Sequence, residues 1–212
     1  MMKITSNLDE RILKMILELR KSGILDNRIY NALNSVSRIN FLPKKLIGLV
    51  NEDVNIEIFD GIIASKTSDI AKMLDIGLRT NPNTKNVLEI GTGSGWQTAI
   101  LSMIYERVYT VEINEKAYLF SSNNLRSLDK RIFNKLSDGK KGWIESSPFD
   151  VIYIDACCKD IPDSLIGQLC KNFGTIVFVK EYDKKHFFHS LSTSDNLEII
   201  RSVYEVQRSK LI

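Results

Sequence analysis

Glu89, the glycines at 91, 93 and 95, Glu112 and the pair Asp138-Gly139 are the residues whose types and spacing suggest chemistry. An apolar run, Val87-Leu88-Glu89-Ile90, breaks into Gly91-Thr92-Gly93-Ser94-Gly95-Trp96-Gln97, and a second run, Val108-Tyr109-Thr110-Val111, ends in Glu112. Glycines let a backbone turn tightly and approach a ligand, and a carboxylate after the second strand can accept both hydroxyls of a ribose. The implied ligand is a nucleoside-containing cofactor. The spacing is G-x-G-x-G rather than the G-x-G-x-x-G of dinucleotide sites, and Glu89 brings negative charge to the crevice side of its strand. That charge opposes a pyrophosphate but suits a sulfonium and an α-ammonium, so S-adenosyl-L-methionine fits best.

Ligands of open α/β sheets bind beyond the carboxyl ends of the strands, which makes three loops candidates for one crevice. Gly91, Thr92, Gly93, Ser94 and Gly95 follow the first strand, Glu112 ends the second, and Ser137-Asp138-Gly139 follows the third. Asp138 is placed to accept from an adenine amino group, with Gly139 letting the loop approach the base; alone, the pair reads equally as a turn. Asp155, ending a fourth strand, either faces the reacting centre or caps the next turn. Ser65 and Thr67 precede a helix, where N-capping accounts for both. His186 and His189, read as helical, share one face. No acid or cysteine completes a metal set with them, so they are expected at the surface with no metal bound.

The elements that must position these residues follow from periodicity. Ser6 and Asp9 resemble a capping box ahead of an amphipathic helix that ends at Gly23, and a second helix spans Asp26 to about Asn34. Residues 44–64 read as irregular or weakly β, and a helical stripe runs from Ile70 to Leu78. From Asn86 the pattern alternates: strand 86–90, helix 94–104, strand 107–112, helix 115–128, strands 131–136 and 150–155, helix 162–171 and strand 174–179. Runs such as Val151-Ile152-Tyr153-Ile154 are apolar on both faces, as strands covered on both sides must be. Leu197 to Val206 reads as an antiparallel edge strand. The expected fold is α/β, a doubly wound, mostly parallel, Rossmann-like sheet, with residues 1–80 as an N-terminal helical and substrate-facing extension and 86–206 as the cofactor-binding core of a single domain.

With 212 residues, 43% hydrophobic and 26% charged, the chain can bury one full core. A formal charge of +3 without a lysine stripe gives no argument for nucleic acid. No apolar stretch approaches a membrane span and no secretory leader is evident, so a cytoplasmic protein without membrane attachment is expected. Cys157, Cys158 and Cys170 form no C-x-x-C and read as structural thiols.

The ordered motifs resemble the protein-L-isoaspartate (D-aspartate) O-methyltransferase family from about residue 11 to 180. Val36-Ser37-Arg38-Ile39-Asn40-Phe41-Leu42-Pro43 is similar to its V-P-R-x-x-F-V-P, and Val87 to Gln97 to its V-L-E-I-G-T-G-S-G-Y-Q. Ser137-Asp138-Gly139 with Gly142-Trp143 stands in for its G-D-G and G-W, and Phe149-Asp150 to Pro162 for F-D-x-I-x-V-x-A and I-P. The resemblance implies methylation of the free carboxylate of L-isoaspartyl residues in damaged proteins or peptides, followed by collapse of the ester to a succinimide. It implies Ser65, matching the serine of G-Q-T-I-S, as the catalytic residue beside the transferred methyl. It also implies cofactor contacts from Gly91, Thr92, Gly93, Ser94, Gly95, Glu112, Asp138 and Gly139, to which the crevice position of Glu89 adds a further one; a monomer is expected. In that segment Ile62, Ile63 and Ala64 replace Gln, Thr and Ile, Thr67 replaces a proline, and Ser37 replaces the proline of the first motif. An enzyme using the same cofactor on another acceptor, and a non-catalytic binding protein, are the alternatives.

Overall fold

The structure, a computed structural model, describes residues 5–59, 61–80, 84–128, 131–195, 197–206 and 208. Its helices are α1 (Thr5–Lys21), α2 (Asn27–Ser35), α3 (Thr67–Thr80), α4 (Trp96–Ser102), α5 (Glu115–Leu125) and α6 (Asp163–Ile166). A hairpin, β1 (Ile56–Phe59) and β2 (Ile62–Ala64), stands apart from the main sheet. That sheet holds β3 (Asn86–Ile90), β4 (Arg107–Glu112), β5 (Ile132–Leu136), β6 (Val151–Cys157), β7 (Thr175–Tyr182), β8 (Lys185–Ser192) and β9 (Ile199–Val206).

The strand order β5-β4-β3-β6-β7-β8-β9 reverses direction between β3 and β6. β3 to β7 pair in parallel and the last two strands pair antiparallel, the mostly parallel Rossmann-like arrangement the sequence predicts. Alternate residues feed two cores. Val87, Val151, Tyr153, Val177 and Val179 join Ile70, Met73 and Leu74 of α3 and Ile100 of α4 on one face. Leu88, Ile90, Ile152, Ile154, Ile176 and Phe178 join Phe149, Leu165 and Leu169 on the other. Each such side chain, fully buried, contributes roughly 1.5–3 kcal/mol. Gly77 lets α3 lie directly on the sheet, since a Cβ there would overlap the Tyr153 ring.

Strands 86–90 and 107–112 fall where periodicity places them, and Asp26 caps α2, its carboxylate accepting from the Arg28 amide at 2.9 Å. Three expectations need correction. The helix expected over 162–171 stops at Ile166: the Gln168 side chain accepts from the Trp143 amide, and Leu169 forms a bridge with Phe149. The helix expected from 94 starts at Trp96, because Gly95 sits at φ +84° in the turn before it.

The third concerns the histidines. Residues 185–192 form a strand, joined to β7 by the two-residue turn Asp183-Lys184 with φ +50° and +61°. Both central residues at positive φ make a tight hairpin, but without the Asn-Gly or Asp-Gly that usually announces one. His186 and His189 therefore lie on opposite faces of a strand. His189 is buried, its Nδ1 2.9 Å from the Phe187 carbonyl and its ring 5.5 Å from that of Phe178; burial lowers its pKa. The Ser6 and Asp9 side chains lie outside the described residues.

Candidate functional site

β3 ends in Ile90, and the chain then turns through three glycines with positive φ: Gly91 at +95°, Gly93 at +55° and Gly95 at +84°. Side chains at such φ values are strained. The turn is pinned to its neighbours. The Gly91 amide donates to the Val111 carbonyl at 2.9 Å, the Gly95 amide to the Thr92 carbonyl at 2.9 Å, and Thr92 and Thr110 hydroxyls meet at 2.7 Å. A Cβ on Gly91 would project into open space, and one on Gly93 would meet only the Ile63 carbonyl at 3.8 Å. The bare backbone thus forms a cradle roofed by the β1–β2 hairpin.

Glu89 lies beneath this turn, fully buried, its Oε2 accepting from the Thr98 hydroxyl and, at 2.7 Å, from that of Thr110. Burial pushes its carboxyl up to about 8, against the lowering effect of the two threonines. Its Oε1 and the Oε1 of buried Gln97 have no hydrogen-bond partner among the described residues. Two orphaned acceptors beside a glycine cradle are what a cationic ligand with N–H donors would satisfy.

Glu112 ends β4 and turns back to the cradle. Its Oε2 accepts from the Gly93 amide at 2.9 Å, and its Oε1 from the Ile113 and Asn114 amides, each at 2.9 Å. A carboxylate offers about four lone-pair sites, so Oε2 keeps capacity for a hydroxyl donor.

Asp138 and Gly139 are placed differently from the rest. Asp138 caps a short 3-10 turn, accepting from the Lys140 amide at 2.9 Å. Gly139 packs so closely on β3 that a Cβ would overlap the Ile90 side chain. The turn-former role is therefore realised in this loop, which Gln168 locks by donating to the Lys141 carbonyl at 2.8 Å.

A shallow, solvent-open cleft lies beside the cradle. Gly91, Thr92, Gly93, Ser94 and Gln97 line its donor side; Ser65, Ile63, Ile70, Trp96 and Asp155 line the other. The structure thus brings Ser65 together with four of the five cradle residues. Gly95, Glu89, Glu112, Asp138 and Gly139 do not line the cleft.

Ser65 does not cap α3. Its hydroxyl donates to Asp155 Oδ2 at 2.6 Å, while the helix start is satisfied by Asn55 and Asp53, which accept from the Lys66 and Ser68 amides at 3.0 and 2.9 Å. Asp155, for which two readings stood level in the sequence, therefore faces the cleft.

Two arginines that the sequence reading gave no role complete this side. Arg38, 5% exposed, donates to the carbonyls of Glu52, Val54, Ala64 and Ser65 at 3.1, 3.2, 3.2 and 2.8 Å, and lies 5.0 Å from the Trp96 ring. Burial lowers its pKa to about 10, leaving it charged at neutral pH. It clamps the strand β2 and Ser65 onto the start of α4. Its signal in the sequence was its place in Val36-Ser37-Arg38-Ile39-Asn40-Phe41-Leu42-Pro43, at the arginine of V-P-R-x-x-F-V-P. Arg208 reaches in after β9, its Nε on Asp155 and its Nη1 3.0 Å from Asp69 Oδ2, and no local pattern announces it. The described residues contain no group of three or more His, Cys, Asp or Glu able to hold a metal, and no helix long and apolar enough to cross a membrane.

Comparison with known proteins identifies the family. The sequence profile of the protein-L-isoaspartate (D-aspartate) O-methyltransferases matches residues 10–207. A protein-L-isoaspartate O-methyltransferase of Pseudoalteromonas atlantica (strain T6c / ATCC BAA-1087) is 30% identical over 204 residues, covering 95% of each chain. One from Stenotrophomonas maltophilia (strain K279a) is 35% identical over 158 residues, 74% of this chain and 69% of the relative. Among solved structures, a protein-L-isoaspartate O-methyltransferase superposes with a TM-score of 0.79 at 23% identity, over 94% of this chain and 65% of its own length. A Plasmodium falciparum protein described by the same name, in complex with S-adenosyl-L-homocysteine, gives 0.79 at 19% identity over 94% and 97%. The match spans nearly the whole described chain, and the chain belongs to the protein-L-isoaspartate (D-aspartate) O-methyltransferase family.

Proposed function

We propose that this chain transfers the methyl group of S-adenosyl-L-methionine to the free carboxylate of L-isoaspartyl residues in damaged proteins or peptides. One observation carries the reading: the glycine cradle and the Ser65–Asp155 pair face each other across a single cleft. When bound, the cofactor supplies a methyl group made electrophilic by its sulfonium. The residues present fit such a group. Gly91 and Gly93 leave the backbone open to close approach, Glu89 and Gln97 offer buried acceptors to its ammonium, and Glu112 offers remaining acceptor capacity to its ribose.

The acceptor side needs little chemistry of its own. A carboxylic acid with a pKa of ~4 is already ionised at neutral pH, so no base has to remove a proton before attack. The cleft lining accordingly contains no histidine and no lysine. On acceptor binding the Ser65 hydroxyl turns its one proton from Asp155 Oδ2 to the attacking carboxylate, and Ile63, Ile70 and Trp96 add apolar surface beside it. Holding both reactants in line removes up to roughly 7–11 kcal/mol of barrier.

The test is incubation with labelled S-adenosyl-L-methionine and an isoaspartyl peptide beside its aspartyl twin. Label is expected on the isoaspartyl peptide alone. Label on neither, with cofactor binding measurable, defeats the repair reading; preferred binding of NAD in calorimetry defeats the methyltransferase reading. Ile63, exposed and lining the cleft where relatives of the motif carry threonine, favours acceptors with an apolar neighbour. A panel of isoaspartyl peptides varied at the flanking residues reads that preference directly.

A further inference from the structure

Among the described residues Asp155 is the only charged one lining the cleft, and its sign is that of the proposed acceptor. An incoming carboxylate would meet it at close range in a partly desolvated space, where like charges repel strongly. Among the described ion pairs, Asp155 is paired with Arg208 and with nothing else. Arg208 is itself 5% exposed in its side chain, extends to the fully buried Asp69 at 3.0 Å, and lies 5.7 Å from the Phe188 ring. Its own amide donates to His186 Nδ1 at 3.2 Å, which fixes the backbone from which the side chain reaches in.

The surrounding charges give the sum its sign. Asp69 also faces Lys66 and Lys72, at 3.6 and 3.7 Å. Two carboxylates are thus matched by three cations, but the two lysines stand on Asp69 and leave Asp155 to Arg208. Asp155 in turn takes the Ser65 hydroxyl at 2.6 Å, so the arginine also fixes the carboxylate that orients Ser65.

Building on the methyl-transfer reading, we propose that Arg208 sets the charge specificity of the acceptor site. By neutralising Asp155 it lets a carboxylate enter where an unpaired aspartate would turn it away. Arg208 is a positioning and specificity residue; it acts through Asp155 and Ser65 rather than on the methyl group.

The test compares binding of two peptides to the full chain loaded with S-adenosyl-L-homocysteine: an isoaspartyl peptide, and the same peptide with its isoaspartyl α-carboxylate converted to a carboxamide. The wild-type protein is expected to prefer the carboxylate. Arg208→Met is expected to weaken carboxylate binding by at least ~10-fold while leaving the carboxamide within about twofold, because only the former feels the exposed charge. Arg208→Lys keeps the charge and retains most of the preference. In the double variant Asp155→Asn/Arg208→Met the repelling charge is gone and carboxylate affinity recovers. Unchanged S-adenosyl-L-homocysteine affinity certifies the fold of each variant, and Arg208→Lys with the double variant carries the test where Arg208→Met is unstable. Equal losses for both peptides would mean that Arg208 merely ties down the chain, and would overturn the assignment. Wild-type preference persisting in Arg208→Met overturns it too, leaving the methyl-transfer reading intact. Equal binding of both peptides by the wild-type protein overturns the carboxylate acceptor itself.

Discussion

Replacing Glu89 with glutamine tests the buried acid under the glycine turn. The carboxyl ordinarily titrates at 4.5, and burial raises it to about 8 in the folded protein. Between those values the folded chain holds a proton that the unfolded chain has released, so this group's contribution to stability is greatest below 4.5 and is lost as pH rises toward 8. Each pH unit inside the window costs about 1.4 kcal/mol. From about pH 6 to about pH 7.5, the 1.5 units amount to about 2 kcal/mol. Glu89→Gln keeps the shape and an acceptor for Thr98 and Thr110 but cannot titrate. Any constant penalty from its amide group is the same at both pH values and cancels. Urea denaturation of both proteins at the two pH values is the assay, and the wild-type protein is expected to lose about 2 kcal/mol more than the variant. A cation beside the orphaned Oε1 should also pull the acid back down, so binding S-adenosyl-L-homocysteine near pH 7 should expel a proton in the wild-type protein and none in Glu89→Gln. Calorimetry in two buffers of different ionisation enthalpy measures this. Parallel pH dependences of stability, with no difference in proton release, would refute the argument.

Ser65→Ala removes one hydrogen bond to Asp155 and is expected to cut turnover at least ~10-fold for about 1 kcal/mol of stability, with S-adenosyl-L-homocysteine affinity unchanged; initial rates beside calorimetry check it. Arg38→Met leaves four backbone carbonyls without their donor and is expected to cost about 3 kcal/mol and raise the acceptor KM more than the cofactor KM, as urea midpoints and steady-state kinetics will show. Gly139→Ala drives a methyl into Ile90 and is expected to cost about 1–3 kcal/mol, whereas Asp138→Asn, which keeps a capping oxygen, should stay within about 0.5 kcal/mol; thermal melts separate them.

The donor half of the site was legible because it is local. Gly91 to Gly95 sit between two periodic strands, and a glycine that must adopt positive φ is visible as a residue type. Glu89 was legible as a residue but not as a titrating group, since its raised pKa comes from complete burial in the folded core, which outweighs the opposing hydrogen bonds from Thr98 and Thr110. The acceptor half was opaque for the same reason carried further. Ser65 looks like a helix cap in sequence, and only the arrival of Asp53 and Asn55 at the α3 amino end frees it for Asp155. Arg208 meets Asp69 across 139 positions, a distance no spacing rule spans. Strand β8 was missed because its turn, Asp183-Lys184, adopts a tight hairpin without the usual residues.

The hairpin roof has a consequence for how this protein can diversify. One wall of the cleft is the glycine bend, whereas the opposite wall carries Ser65, Ile63 and Ala64 of the β1–β2 ribbon and Asp155, with Arg38 bonded to the Ser65 carbonyl and Arg208 to Asp155. Ile62, Ile63 and Ala64 mark a revision of that ribbon already written into this chain: the choice of what is methylated can drift while the means of methylating stays fixed.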